Sequence, residues 1–302
     1  MEGYISKIER FSLHNGPGIR TTVFIQGCPL KCAWCGNPEL HESCSELLYN
    51  PDICLKECIE CLGMCPTKAI AKNNSGKIVI KRDVCDKCGK CAVACPTKAI
   101  SFMGMRVTVE DVLNELAKDI PFYESSGGGV TVSGGEPLGQ PEFVLELLRA
   151  CKRQNIHTAL DTCGYAHWRD LKEILEYADL VLYDLKFVDT KKHKRYTGVN
   201  NELILKNLKN IAQYKSSSLI VRFPLVPGIN DSNEDIDKLV DFLGSISFKR
   251  FDILPYHRLG VAKYAMLGKP FRLQKTKQPS REEIDSVRSL VMAKGVEVRV
   301  EV

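Results

Sequence analysis

Three cysteines that directly follow an apolar run give the strongest chemical signal in the sequence. Cys28, Cys32 and Cys35 have C-x3-C-x2-C spacing. Three thiolates leave a tetrahedral zinc site one ligand short, so structural zinc would need His41 or Cys44 as its fourth ligand. The alternative is an iron–sulfur cluster, because three thiolates leave one of its irons open to a small molecule. The spacing favours the cluster, since structural zinc sites usually come as paired C-x2-C motifs.

Eight further cysteines form two repeated units. Their patterns are Cys54-x3-Cys58-x2-Cys61-x3-Cys65-Pro and Cys85-x2-Cys88-x2-Cys91-x3-Cys95-Pro. Two zinc ions with four cysteines each would also account for the number. The proline after each fourth cysteine instead indicates paired 4Fe–4S clusters of the ferredoxin type. A module of about sixty residues builds little core of its own, so we expect it to need metal in order to fold.

The distribution of cysteines and the composition indicate a reducing, intracellular setting. Twelve of the 14 cysteines fall between Cys28 and Cys95, a density that suits a disulfide framework poorly. The N-terminal residues contain no apolar signal segment, and no apolar run approaches the ~18 residues of a membrane span. Lys and Arg number 42 against 37 Asp and Glu, which is too even for a nucleic-acid footprint. We therefore expect a cytoplasmic protein without a membrane or nucleic-acid partner.

Strand-like and helix-like segments alternate in the rest of the chain. The predicted strands are Thr21–Gln26, Val130–Ser133, His157–Asp161, Asp179–Asp184, Leu219–Phe223, Phe251–Pro255 and Val296–Val300. The predicted helices are Val109–Ile120, Pro141–Gln154, Trp168–Tyr177, Leu203–Tyr214, Asn233–Leu243 and Arg281–Lys294. This alternation predicts an α/β fold with a parallel sheet. A full or partial barrel and an open doubly wound sheet both fit, and periodicity alone does not separate them.

Polar residues stand where several predicted strands end. A glycine turn, Gly134-Gly135-Glu136, follows one strand, and Asp161 and Asp184 close two others. Taken singly, such residues are usually an ordinary turn and helix caps. In a barrel, however, the carboxyl ends of the strands face one site, so we expect these side chains to meet there. His257 follows another strand and belongs to the same group, although a lone histidine is more often a surface residue.

Several motifs together resemble one family. The C-x3-C-x2-C loop, with Trp34 before its last cysteine, resembles the signature of the radical S-adenosylmethionine (SAM) superfamily. The chain is similar to the activating enzymes of glycyl radical enzymes, of the pyruvate formate-lyase activating type. The motifs that carry this resemblance, in order, are His14–Arg20, Ser133–Pro137, Asp161–Gly164, Asp184–Lys186, Arg222–Gly228 and Leu254–His257. The resemblance implies a partial (β/α)6 barrel from residues 1–42 and 106–302, with an inserted α+β ferredoxin-like domain at 43–105.

The resemblance also implies which residues hold the cofactors. It implies three 4Fe–4S clusters, the first on Cys28, Cys32 and Cys35. As in two-cluster ferredoxins, the fourth cysteine of each unit would bind the other cluster, giving the sets Cys54, Cys58, Cys61, Cys95 and Cys85, Cys88, Cys91, Cys65. The extra residue between Cys54 and Cys58 departs from the ferredoxin spacing. Three cysteines fit no cluster and are interpreted as small buried or surface residues: Cys44, Cys151 and Cys163.

Further ligands follow from the same resemblance. SAM would contact Trp34, Cys35, Gly36, Gly134, Gly135, Glu136, Asp184, Leu185, Lys186, Arg222 and His257. A monovalent cation, Na⁺ or K⁺, would bind Asp161, Thr162, the Leu182 carbonyl and Asp184. His14 and Asn15 would meet the protein substrate; many relatives have aspartate where Asn15 stands.

The implied activity is the activation of a partner glycyl radical enzyme. Reductive cleavage of SAM would give a 5′-deoxyadenosyl radical that abstracts hydrogen from one glycine of the partner. A flavodoxin or ferredoxin would donate the electron to a monomeric enzyme in an anaerobic bacterium. The alternatives are a radical SAM enzyme that acts on a small molecule or peptide, and a ferredoxin-type electron-transfer protein. The sequence does not separate the candidate partners, which include dehydratases, sulfonate- and amine-cleaving lyases, decarboxylases and formate-lyases.

Overall fold

A computed structural model describes residues 1–293 and 295–301 and contains one nine-stranded sheet with two small two-stranded sheets. The strands are β1 (Glu2–Ser12), β2 (Arg20–Ile25), β3 (Glu46–Tyr49), β4 (Ile70–Lys72), β5 (Ile78–Ile80), β6 (Ile100–Met103), β7 (Met105–Thr108), β8 (Gly129–Gly134), β9 (Thr158–Thr162), β10 (Leu180–Asp184), β11 (Leu219–Leu225), β12 (Arg250–Pro255) and β13 (Val298–Val300).

The strand order of the large sheet decides between the two architectures. It runs β13-β12-β11-β10-β9-β8-β2-β1-β7. Seven strands of this sheet run parallel to one another: β2, β8, β9, β10, β11, β12 and β13. At one edge, β1 pairs antiparallel with both β2 and β7. A doubly wound sheet reverses its order at a switch point, and this sheet does not. With β13 and β7 at opposite edges, the order is that of a barrel left open between them.

Helices lie in the connections between the parallel strands. The helices are α1 (Glu60–Met64), α2 (Lys90–Ala94), α3 (Val109–Ala117), α4 (Ile120–Ser126), α5 (Pro141–Arg153), α6 (Trp168–Leu175), α7 (Thr190–Thr197), α8 (Glu202–Lys215), α9 (Asn233–Gly244), α10 (Val261–Met266) and α11 (Arg281–Met292). Apolar residues of the helices pack with those of the large sheet in one core that includes Val23, Leu147 and Leu160. None of the helices in the described ranges is long and apolar enough to cross a membrane.

The seven predicted strands correspond to the parallel strands within two residues at each end. The predicted helix Val109–Ile120 is wrong at its C-terminus, because α3 ends at Ala117 and α4 begins at Ile120. Pro121, the second residue of α4, explains the break, since proline has no N–H to donate to the Ala117 carbonyl and its ring would clash with that carbonyl in a continuous helix. The predicted end of the last helix, Lys294, lies outside the described residues. The sequence analysis assigned no strand to β1.

Residues 46–103 form a separate unit between β2 and β8. β3 pairs with β6, β4 pairs with β5, and α1 packs against α2. The unit has its own small core, which includes Leu47, Ile78 and Ile100. Its two ends lie together, because the Ser45 hydroxyl donates to the Gly104 carbonyl at 2.8 Å. Arg82 attaches the unit to α10 by donating to the carbonyl of Met266 at 2.8 Å.

Candidate active site

A cavity of about 770 Å³ opens at the carboxyl ends of the parallel strands, where a barrel places its site. Most of the predicted site residues line it. They are His14, Asn15, Cys28, Cys32, Trp34, Cys35, Gly36, Gly134, Gly135, Asp161, Thr162, Asp184, Lys186, Arg222 and His257. The fold thus brings together residues from the cysteine loop and from the ends of five parallel strands.

The cysteine loop follows β2 and is fixed on three sides. Gln26 donates from its side-chain amide to the carbonyls of Glu39, Glu42 and Cys44 at 2.8, 2.9 and 3.1 Å. The backbone amide of Ala33 donates to the Tyr196 carbonyl at 2.8 Å. On the opposite side, the Tyr264 hydroxyl donates to the Cys35 carbonyl at 3.2 Å. These contacts hold the loop at the cavity without using its thiols.

The three thiols of the loop suit an iron–sulfur cluster. Burial raises the pKa of all three, that of Cys35 to about 12. The thiolate is the form that binds metal, so deprotonation requires a positive centre close to these sulfurs. Within the described ranges, no three His, Cys, Asp or Glu side chains converge on the position of a single metal ion. A cluster differs from a single ion because its thiolates bind separate irons.

A network of four charges stands opposite the cysteine loop, on three neighbouring strands. Arg222 on β11 donates to Asp184 on β10 from Nε at 3.0 Å and from Nη2 at 2.9 Å, and it also pairs with Asp161 on β9. Lys186 Nζ donates to the second oxygen of Asp184 at 3.0 Å. Burial disfavours the Asp184 carboxylate, but the charges of Lys186 and Arg222 outweigh it and lower its pKa to about 2. Two cations thus balance two carboxylates in the cavity wall.

The residues predicted for the cation already have protein partners. One oxygen of Asp161 accepts from the Ser133 hydroxyl at 2.7 Å, and the other accepts from Arg222. The Thr162 hydroxyl donates to the carboxylate of Glu136. Leu182 is buried and lies opposite Asp161 in the β9–β10 register.

Glu136 and Leu185 point away from the cavity. The Glu136 carboxylate is buried and accepts from the backbone amides of Cys163 and Leu138 at 2.8 and 3.1 Å. Leu185 belongs to the main hydrophobic core. At Gly134, φ is +119° and an added Cβ would lie 2.3 Å from the Ile25 nitrogen, so only glycine fits. The backbone of the glycine turn, rather than the Glu136 carboxylate, therefore faces the site.

Several residues of the wall had no predicted role, and three of them bear on the function. Cys163, which the sequence analysis left without a role, lines the cavity and is buried. Tyr256 also lines it, and its buried hydroxyl has no hydrogen-bond partner in the described part of the chain. Leu259 lines it as well, with 83% of its side-chain surface exposed. Tyr256 lies inside the Leu254–His257 motif, so the motif could have indicated that this residue lines the cavity.

The predicted partner residues lie on the loop between β1 and β2. The side-chain amide of Asn15 donates to the Thr22 hydroxyl at 3.0 Å, and the backbone carbonyl of Asn15 accepts from the Thr131 hydroxyl at 2.7 Å. Arg20 is fully buried and donates to Thr131 at 2.6 Å and to the Pro17 carbonyl at 3.3 Å. These bonds fix the loop against the inner strands, with His14 and Asn15 in the cavity wall.

Comparison with known proteins identifies the family to which the chain is related. The radical SAM superfamily profile matches residues 86–243, so this match does not depend on the Cys28–Cys35 loop. The isethionate sulfite-lyase activating enzyme of Oleidesulfovibrio alaskensis is 45% identical over 88% of this chain and 87% of its own. The trans-4-hydroxy-L-proline dehydratase activating enzyme of Clostridioides difficile is 38% identical over 99% of each chain.

Two solved structures agree with this result. A domain of a pyruvate-formate lyase-activating enzyme from Bacteroides vulgatus has 31% identity and a TM-score of 0.50, covering 58% of this chain and 99% of that one. A radical SAM methyltransferase from Sphaerobacter thermophilus, at 12% identity, shares the fold with a TM-score of 0.56, covering 98% of this chain and 76% of that one. The predicted family is confirmed: the chain belongs to the radical SAM superfamily, among the activating enzymes of glycyl radical enzymes.

Proposed function

We propose that the cavity binds SAM beside a 4Fe–4S cluster on Cys28, Cys32 and Cys35, and that a glycine of a partner enzyme enters the same cavity. The observation that carries this proposal is that the three cysteines of the loop, one buried and two half-buried, and the Asp184–Lys186–Arg222 network line the same cavity. When bound, reduced cluster and SAM supply a 5′-deoxyadenosyl radical that abstracts hydrogen from the partner's glycine. No side chain of the chain has to act as acid or base.

The residues of this chain bind and orient the cofactor. The positive charge of Lys186 favours the thiolate form of Cys32, and its ammonium can pair with a carboxylate as it does with that of Asp184. Backbone groups of Gly134 and Gly135 can approach a ligand closely because no Cβ intervenes. Trp34, Gly36 and His257 complete the wall, and the unpartnered Tyr256 hydroxyl offers one more donor.

The monovalent cation is a secondary proposal. Its carboxylates are present, but a cation at Asp161 and Asp184 requires Arg222 to release an oxygen, because that guanidinium already bridges both residues. Hard cations prefer such oxygen ligands. Calorimetric titration of SAM with and without Na⁺ or K⁺ tests the proposal: equal affinity in both conditions rejects the cation.

Residues 43–105 are proposed to be a ferredoxin-like insert that holds two 4Fe–4S clusters. The exchange of the fourth cysteine has geometric support, because a small cavity of about 20 Å³ is lined by Cys54, Cys58, Cys61 and Cys95. Burial raises the pKa of the Cys91 thiol, and the charges of Cys85 and Cys65 raise it further, which supports the second ligand set. We propose that these clusters relay electrons from a flavodoxin or ferredoxin to the first cluster. We further propose that the enzyme is a cytoplasmic monomer of an anaerobic bacterium.

Anaerobic reconstitution tests the function. The loaded chain is reduced with SAM in the presence of isethionate sulfite-lyase, trans-4-hydroxy-L-proline dehydratase or choline trimethylamine-lyase. We choose these partners because activating enzymes named for them match this chain. We expect a glycyl doublet in the electron paramagnetic resonance (EPR) spectrum of one partner. Turnover of a small molecule, with no radical on any partner, would favour a different radical SAM enzyme.

A further inference from the structure

The longest segment without an acidic residue in the C-terminal part of the chain includes residues that line the cavity, among them His257 and Leu259. Residues 253–281 contain seven Lys and Arg and no Asp or Glu. The whole chain has a formal charge of +5, so the remaining residues carry a net −2. The small net charge of the whole chain therefore conceals a local concentration of positive charge.

Hydrogen bonds hold this basic segment beside the cavity. His257 and Leu259 line the mouth, and Arg258 between them donates to the carbonyl of Gln274 at 2.9 Å. Arg272 donates to the carbonyl of Arg195 at the end of α7 at 3.0 Å. Because the next residue of α7, Tyr196, accepts from the backbone amide of Ala33 in the cysteine loop, α7 connects the basic segment to that loop.

Six cations on these two segments form what we call the basic rim. They are exposed and comprise Lys194, Arg195, Arg258, Arg272, Lys275 and Lys277. Neighbouring lysines pair with carboxylates, for example Lys263 with Glu39 and Lys192 with Asp235. No ion pair among the described residues involves the six members of the rim. Their charge is therefore available to another molecule.

Leu259 stands inside the rim as an exposed apolar residue. Its side chain is 83% exposed. The backbone around it is fixed, since an added Cβ on Gly260 would lie 2.7 Å from the Gly36 Cα, and the Leu259 amide donates to His257 Nδ1 at 3.4 Å. An exposed apolar side chain on a fixed backbone, with cations on neighbouring segments, is the arrangement of an interface anchor with a polar rim.

The geometry points to an interaction surface at the cavity mouth, in which Leu259 contacts the glycine-bearing loop of the partner and the basic rim binds an acidic surface around that loop. This inference rests on the proposed function, which requires a partner glycine to reach the cavity. The surface is continuous with the cavity through His257 and Leu259, so its occupant is the protein that delivers the glycine. The rim would accelerate encounter and orient the partner.

Charge reversal tests the basic rim. The variant Arg272→Glu/Lys275→Glu/Lys277→Glu is compared with Arg153→Glu/Lys206→Glu/Lys249→Glu, which makes the same change in net charge on exposed residues of α5, α8 and the turn before β12. Isethionate sulfite-lyase is the binding probe. If it acquires no radical, trans-4-hydroxy-L-proline dehydratase or choline trimethylamine-lyase replaces it. Biolayer interferometry measures association at 50 and 300 mM salt.

We expect the rim variant to associate about 10- to 100-fold more slowly at low salt, with a weaker salt dependence, and the control to change about twofold or less. Leu259→Ala is expected to speed dissociation about tenfold without altering the salt dependence. Equal behaviour of the two triple variants would overturn the inference, while a partner radical formed at saturating concentration would leave the proposed function intact. If wild type cleaves SAM and turns over a small molecule but forms no radical on any panel protein, both the proposed function and this inference fail.

Discussion

The Cys28–Cys35 loop and the first unit of the insert have the same C-x3-C-x2-C spacing but opposite surroundings. The loop follows the fully buried strand β2 and borders a cavity of about 770 Å³. The unit at Cys54–Cys61 leads into the five-residue helix α1, borders a cavity of about 20 Å³ and has Cys95 as a fourth thiol. Spacing alone indicates a cluster. The space beside the cluster, and the missing fourth thiol, determine whether it can bind a substrate.

The fourth thiols of the two insert units differ electrostatically from the thiols of the loop, although burial raises the pKa of Cys61 and Cys91 as it does in the loop. Burial raises the pKa of Cys28, Cys32 and Cys35. At Cys65 and Cys95 burial acts in the same direction, but hydrogen bonds from threonine hydroxyls and backbone amides outweigh it and lower the pKa. Hydrogen bonds to a thiolate stabilise it. The insert therefore prepares its fourth ligands for metal, whereas the loop depends on the metal itself.

The largest expected effect separates the two regions directly. Cys32→Ala and Cys58→Ala remove the second cysteine of the same motif in each region. We expect Cys32→Ala to abolish SAM cleavage while roughly eight irons remain, since each cluster holds four. Cys58→Ala should lose about four irons and retain cleavage driven by dithionite. Iron assay and methionine formation measure both. Loss of dithionite-driven cleavage in Cys58→Ala would show that SAM cleavage requires the insert cluster, contrary to this comparison.

The exchange of ligands within the insert gives the next largest effect. In a Cys85→Ala/Cys88→Ala/Cys91→Ala background, the cluster at the first unit should persist. Adding Cys95→Ala should remove it, whereas adding Cys65→Ala should not, because the small cavity is lined by Cys95. The EPR spectrum of the reduced insert cluster reports the difference. The reverse result would mean that each unit supplies all four of its own ligands.

Lys186→Met tests the charge network of the cavity. The variant leaves Asp184 with Arg222 alone, so the pKa of Asp184 should rise from about 2 and the cofactor carboxylate should lose a cation. We expect SAM affinity to fall about 10-fold or more in anaerobic calorimetry. Lys192→Met, which breaks the Lys192–Asp235 pair outside the cavity, is the matched control. Equal affinities would exclude Lys186 from cofactor binding.

Glu136→Gln has the smallest expected effect and tests whether this residue is structural. Its carboxylate accepts three hydrogen bonds, and a neutral amide presents a donor where an acceptor is needed. We expect the free energy of unfolding to fall by about 1–3 kcal/mol, with SAM affinity changed less than in Lys186→Met. Thermal unfolding measures the first, with Glu142→Gln on the exposed face of α5 as control. A loss confined to SAM affinity would place Glu136 in the binding site.

Periodicity and motif order predicted most of the parallel sheet and most of the cavity wall. Strand β10, for example, is a nearly continuous apolar run, so its position follows from local sequence. The direction of the Glu136 side chain did not follow, because it depends on hydroxyl and amide donors of β9 and the residue after it. The burial of Leu185 in the core and the strand β1 were not predicted for the same reason: burial and edge pairing arise from neighbours distant in sequence. Pro121 was a local signal for the end of α3 that helical periodicity concealed.

The hydrogen bond between Ser45 and Gly104 has an evolutionary consequence. It brings the two ends of the insert within 2.8 Å, so the chain leaves and rejoins the barrel at one point. Domain insertions are tolerated at such positions, because the host structure requires only that its two ends remain together. A lineage could therefore gain, lose or exchange the cysteine-rich unit as a cassette while the barrel and its cavity stay unchanged. The residues that transfer electrons and the residues that support the radical chemistry can thus evolve independently.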